Sequence, residues 1–285
     1  MDTVITREEA LADPSRVNDL IAQVIGSQDI PVIADAPGDL ITLPGGLFYN
    51  GKVYTTAQVK ELTGADEEAL SKAMAANNGF HFMDTLLTRG VTHIGDLPAT
   101  PEMLGNMLLG DRDELLIQIR VATYGEYFEL EQWTCPHCNQ QSDLKFSLAR
   151  DIERIPLEDN DKYGEPSFEI ELRRGAKALV RFPTGADQKA CSDPKWTSTE
   201  RNSEMLRRCV KSITRTDGSV IHVQAFPGAI AEMNIPDRRK IVDAIGEKSP
   251  GPRYTFINFT HAECQKDVGL ALSMLDLFRD LLLGF

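Results

Sequence analysis

Four segments of this 285-residue chain occur twice in the same order, and that repetition limits the folds open to it more than any other feature. "LTGADEEA" (62–69) returns as "PTGADQKA" (183–190), and "DTLLTRGVTHI" (84–94) as "EMLRRCVKSI" (204–213). "LGDRDELLIQI" (109–119) returns as "IPDRRKIVDAI" (235–245), with Asp237-Arg238 over Asp111-Arg112 and Ile241, Val242 and Ile245 over Leu115, Leu116 and Ile119. "YFELEQWTCPHCNQQSDLKFSL" then falls on "RYTFINFTHAECQKDVGLAL", placing Cys135 and Cys138 126 residues before His261 and Cys264 without a gap. A solenoid repeats every ~20–50 residues, so this period is too long for one. The pattern predicts an α+β fold: a duplicated hairpin-plus-helices unit in a pseudo-twofold arrangement. Its divisions are an N-terminal arm (1–40), a first repeat (41–152), a linker (153–166), a second repeat (167–276) and an apolar C-terminal tail (277–285).

Local signals place the elements. A helix is expected from Arg7 to Ile25, with Val17, Leu20, Ile21 and Val24 at helical spacing, followed by an extended run broken by Pro31, Pro37 and Gly38. Asn50-Gly51 between apolar flanks predicts a hairpin, because both turn positions must tolerate positive φ. Thr63 before Asp66, Glu67 and Glu68 reads as a helix start. A second helix carries Met83, Leu86, Leu87 and Val91, and a third carries Leu115, Leu116 and Ile119 and stops at Gly125. "EYFELEQWT" and "DLKFSL" alternate as a strand and its return, and Gly175 turns another hairpin.

The repeat also bears on Cys135-Pro136-His137-Cys138. Alone, this CxxC could be a redox dithiol or half of a metal site. A thiol–disulfide oxidoreductase using Cys135 and Cys138 would place the first cysteine at a helix N-terminus, which lowers its pKa. Here "NQQSDLKFSL" follows, a polar turn running into strand alternation. Two hairpin turns, each giving two ligands across a two-residue spacer, instead make a zinc-ribbon-like site joining the copies. Its ligands are Cys135, Cys138, His261 and Cys264, a Cys₃His set for one structural Zn²⁺. A ribbon normally closes within a few tens of residues, so this site requires the two copies to meet.

A net charge of −13 argues against a general nucleic-acid binder, which needs a basic footprint, and against an anionic membrane surface. The first residues lack the order of a signal peptide, and no apolar run is long enough to span a bilayer, so synthesis in a reducing cytoplasm is expected. Cys209 and Cys191 read as a small buried residue and a loop or helix-end thiol. His81, between aromatics, reads as a packing residue; His93 and His222 stand alone, and His137 is a spacer. "LEDNDKYGEP" reads as a solvated linker, and the Asp of each Asp-Arg pair as a cap on its own helix. There is no GxSxG, GxxxxGK[ST], GxGxxG or HExxH, so neither a catalyst nor a small-molecule substrate is expected. "LSMLDLFRDLLLGF" is apolar for a chain end: it either closes the core as a helix or docks on a partner, with Trp196 a second candidate anchor.

Several of these segments also resemble a known family. "LPGGLFYNGKVYTTAQVKELTGADEEAL", "LLTRGV", "LGDRDELLIQIRVATYG", "YFELEQWTCPHC", "NIPDRRKIVDAI" and "FTHAEC…LDLF" are similar, in that order, to the baseplate hub assembly proteins of contractile-tailed, T-even-like bacteriophages. The likeness covers most of the chain from about residue 40; the N-terminal arm departs from it. It implies a structural or assembly role in the tail baseplate, in the virion or in the host cytoplasm during assembly. Partners would be other baseplate or tail subunits, met through the C-terminal tail and the N-terminal arm. It also implies Cys135, Cys138 and Cys264 as paired positions, with His261 where a cysteine is more usual.

Overall fold

The computed structural model describes residues 40–75, 79–158 and 165–279. The expected helix Arg7–Ile25, the rest of the arm to residue 39, and residues 280–285 of the tail lie outside the described residues, as do 159–164 of the linker.

The first half opens with β1 (Ile41–Tyr49) and β2 (Lys52–Val59), joined at Asn50 and Gly51, whose φ of 49° and 76° are the left-handed values the turn demands. Helices α1 (Gly64–Ala75) and α2 (Gly79–Gly90) follow, then β3 (Val91–Ile94), β4 (Leu97–Pro98), α3 (Pro101–Asn106) and α4 (Leu109–Tyr124). β1 to β4 form an antiparallel sheet in chain order. The hairpin β5 (Tyr127–Thr134) and β6 (Gln141–Ser147) stands apart as its own sheet.

After β7 (Arg154–Ile155) the same order returns. β8 (Ser167–Glu171) and β9 (Lys177–Arg181) are followed by α5 (Gly185–Ala190), α6 (Ser198–Cys209), β10 (Val210–Thr214), β11 (Val220–His222), α7 (Gly228–Glu232) and α8 (Ile235–Lys248). β8 to β11 again form a four-stranded sheet in chain order. Even an irregularity recurs, a register shift beside Val59 in one sheet and beside Val210 in the other. β12 (Gly251–Pro252) pairs with β7; then come hairpin β13 (Phe256–Thr260) and β14 (Asp267–Ala271), and α9 (Met274–Leu277).

The larger core gathers Leu47, Phe82, Leu86, Ile94 and Leu115 around α4, and a smaller one gathers Val180, Leu206, Val210 and Ile241. Ile257, Leu272, Leu277 and Phe278 join the larger core, so the last hairpin packs with the first half. Ser273 and Asp276 cap α9 reciprocally, and the Leu277 carbonyl accepts from Arg120 Nε at 3.0 Å. The described start of the tail therefore closes a core.

Three expectations need correction. Val91 begins β3 because α2 ends at Gly90, where a Cβ would lie 2.5 Å from Ile119. His81 is exposed on α2; the residue packed there is Phe82. Asp111 and Asp237 sit inside the first turns of α4 and α8, whose N-caps are Leu108 and Asn234. Instead of capping their own helices they reach across to the first hairpin of their half, β1–β2 or β8–β9. Asp111 Oδ1 accepts from Gly45 N–H at 2.7 Å, and Asp237 Oδ1 from Arg173 N–H at 2.8 Å.

Candidate metal centre

Each hairpin β5–β6 and β13–β14 ends in a tight knuckle of the same build. In the first, Cys135 N–H donates to the Gln140 carbonyl (3.0 Å) and Asn139 N–H to the Cys135 carbonyl (2.9 Å). In the second, His261 N–H donates to the Lys266 carbonyl (2.9 Å) and Gln265 N–H to the His261 carbonyl (2.8 Å). Asn139 and Gln265, 126 positions apart, both hold positive φ, 57° and 55°. This backbone turns both side chains of each x-x-spaced pair to one side. Cys138 is followed by β6 and not by a helix, so the geometry that activates a thioredoxin-type thiol is not built here.

The knuckles meet. The donor atoms of Cys135, Cys138, His261 and Cys264 all lie within 4.8 Å of one another, close enough to hold one metal ion. Cys135 Sγ is 3.9 Å from Cys264 Sγ, and His261 Nδ1 is 3.6 Å from Cys138 Sγ and 3.3 Å from Cys264 Sγ. A tetrahedron with Zn–S near 2.3 Å and Zn–N near 2.0 Å has edges of about 3.8 Å between sulfurs and about 3.5 Å between sulfur and nitrogen. The observed spacings fit that figure and are far from the ~2.0 Å of a disulfide. The donors are soft thiolates with one imidazole, a set suited to zinc.

The contacts are reciprocal. Cys135 touches Cys264 and Cys138 touches His261, so each residue meets the counterpart of its own knuckle partner. Trp133 and Phe259, again 126 apart, stack edge-on at 5.4 Å beside the site.

Surroundings tune the donors. His261 and Cys135 are buried, Cys138 and Cys264 half-buried. Burial alone would raise the Cys135 thiol, but N–H groups of His137 and Cys138 pull it below its ordinary value. For Cys138 the Gln140 N–H lowers and burial raises, and the neighbouring thiols of Cys135 and Cys264 leave it raised. The ring of His261 is fixed from behind: Nε2 lies 3.4 Å from Ser142 Oγ, leaving Nδ1 aimed at the sulfurs. Nothing in the sequence singles out Ser142, because it acts from the opposite hairpin.

The other candidates stay apart. His137 is exposed, its Nε2 3.3 Å from the Asp267 carbonyl. His222 is exposed, and His93 Nδ1 is buried without a hydrogen-bond partner among the described residues. Cys209 is buried at the end of α6, where burial pushes its thiol up to about 12, and Cys191 closes α5 as a buried helix-end thiol. Trp196 is half-buried.

The fold and these residues can be set against known proteins. The family model described as T4 bacteriophage base plate protein matches residues 49–279. The chain belongs to the T4 bacteriophage base plate protein family. No curated protein and no solved structure matches it. The span that this base plate family shares with the chain takes in both knuckles and all four donors. Among the described residues, no helix of this base plate protein is long and apolar enough to cross a membrane.

Proposed function

We propose that this chain is a structural or assembly component of a contractile phage tail baseplate, in its hub region, acting through protein–protein contacts around a structural zinc site. Cys135, Cys138, His261 and Cys264 hold the ion, which supplies rigidity and no chemistry: four protein donors fill the shell and leave no place for a reactive water. Such a site contributes on the order of 10 kcal/mol, shared with the folding of its loops. The chain is a non-enzyme. It divides into arm 1–40, repeats 41–152 and 167–276, linker 153–166 and tail 277–285, the repeats being copies of one unit whose fingertips are related by a pseudo-twofold. The recurring element and sheet orders support the duplication, and the reciprocal knuckle contacts support the local axis.

Its partners are other baseplate or tail subunits, reached through the N-terminal arm and the C-terminal tail, with no role for nucleic acid, membrane or small-molecule substrate. It works in the virion tail or in the host cytoplasm during assembly. The observation that carries this reading is the convergence of four side chains able to hold a metal ion, from hairpins 126 residues apart, within a chain of the base plate family. Quantitative mass spectrometry of purified virions and of tail assembly intermediates tests it. The chain is expected at a fixed copy number in one or both; normal tails assembled in its absence would overturn the role.

A further inference from the structure

The two halves also meet away from the knuckles, and there the contact is one-sided. Leu108, between α3 and α4, bridges Thr184 at the start of α5; Leu109 N–H donates to the Pro183 carbonyl (3.1 Å) and Gly185 N–H to the Met107 carbonyl (3.0 Å). Gly185 lies so close to the Arg112 guanidinium that a Cβ would come within 2.5 Å of it. By the repeat, Met233-Asn234-Ile235 corresponds to Met107-Leu108-Leu109, and Thr63-Gly64 to Thr184-Gly185. Among the described residues, no bond joins these counterparts within the chain. Ile235 is 78% exposed, and nothing lies within 4 Å of the Cβ position at Gly64. Within the chain one face and one loop thus meet, and among the described residues the matching face and the matching loop stay open.

Both open elements carry the charge to find each other. The open loop leads into Glu67 and Glu68, and the open face into Arg238, Arg239 and Lys240. We propose that the occupant is a second copy of this chain, docking head to tail: the Met233–Ile235 face of one protomer takes the Thr63-Gly64 loop of the next, repeating the internal contact. A heterologous contact of this kind builds a ring where its rotation closes and an open series where it does not. The inference rests on the correspondence of the repeats and stands independently of the metal and of the baseplate role.

Sedimentation of the full-length chain over a concentration series tests it. The wild type is expected to associate, less so as salt rises. Ile235→Asp and Gly64→Gln each alter only one open surface and are each expected to stay monomeric with unchanged melting. Mixed in equal amounts they retain one intact face and one intact loop between them, so the mixture is expected to recover dimers and nothing larger. A wild type that remains monomeric at its highest soluble concentration overturns the proposal, as does association that survives either substitution. Loss of association in both variants without recovery on mixing points to a twofold dimer and equally overturns it.

Discussion

Three buried aspartates carry much of the framework, and they divide by whether a cation faces them. Asp66 and Asp187 each accept the N–H and hydroxyl of the threonine three positions earlier. Burial would raise both, but Lys60 holds Asp66 and Arg181 holds Asp187 below the usual carboxylate range. Asp111 has no such partner: burial pushes it up to about 7, and its Oδ2 makes no hydrogen bond among the described residues. Neighbouring Asp113 is raised to about 6, because burial outweighs the Tyr254 hydroxyl and the Arg112 charge that lower it. A raised carboxylate binds a proton more tightly in the folded chain than in the unfolded one. Its stabilisation is complete below the ordinary value of 3.8 and is lost as pH rises through about 7. Asp111→Asn keeps the acceptor for Gly45 N–H and removes the ionisation. Thermal melting should therefore show the variant gaining on the wild type between pH 5 and pH 8, by on the order of a few kcal/mol. Parallel profiles would contradict the assignment. The threonine-to-aspartate helix starts are legible in sequence because they are local. The reach of Asp111 to a backbone 66 positions away is not.

At the scale of elements, turns and helix ends were the readable part, since Asn50-Gly51, Gly125 and Gly175 fix backbone conformations that few other residues adopt. Burial was less readable. Leu116 is buried in α4, whereas its counterpart Val242 is exposed on α8, because the last hairpin and α9 pack on the first half and leave the second without that cover. Similar patterns therefore sit in different surroundings. The four side chains that meet at the knuckles could be picked out from spacing, but the contact of His261 with Ser142 depends on how two hairpins cross. Ser142→Ala should leave the fold intact and weaken metal binding ~10–100-fold, as loss of an outer hydrogen bond to a ligating histidine does. Competition with a chromophoric chelator measures it; unchanged affinity would mean that Ser142 does not orient the ring.

At the scale of the whole molecule, two kinds of contact join the halves: a reciprocal one between hairpin tips and a one-sided one between Met107–Leu109 and Pro183–Gly185. Sequence could reveal the repetition, because it is a property of the string. It could not reveal that, among the described residues, one pair of corresponding faces is used within the chain and the other is not, because that depends on how the halves pack. The tip contact places three thiols and an imidazole within 4.8 Å of one another, a spacing that a bound ion would hold. The most direct test is metal analysis with X-ray absorption on the chain purified without chelators. The account predicts about one zinc per chain with three sulfur ligands and one nitrogen ligand, and a lower melting temperature after chelation or in Cys138→Ser. A metal-free chain that melts at the same temperature with and without chelator would contradict it.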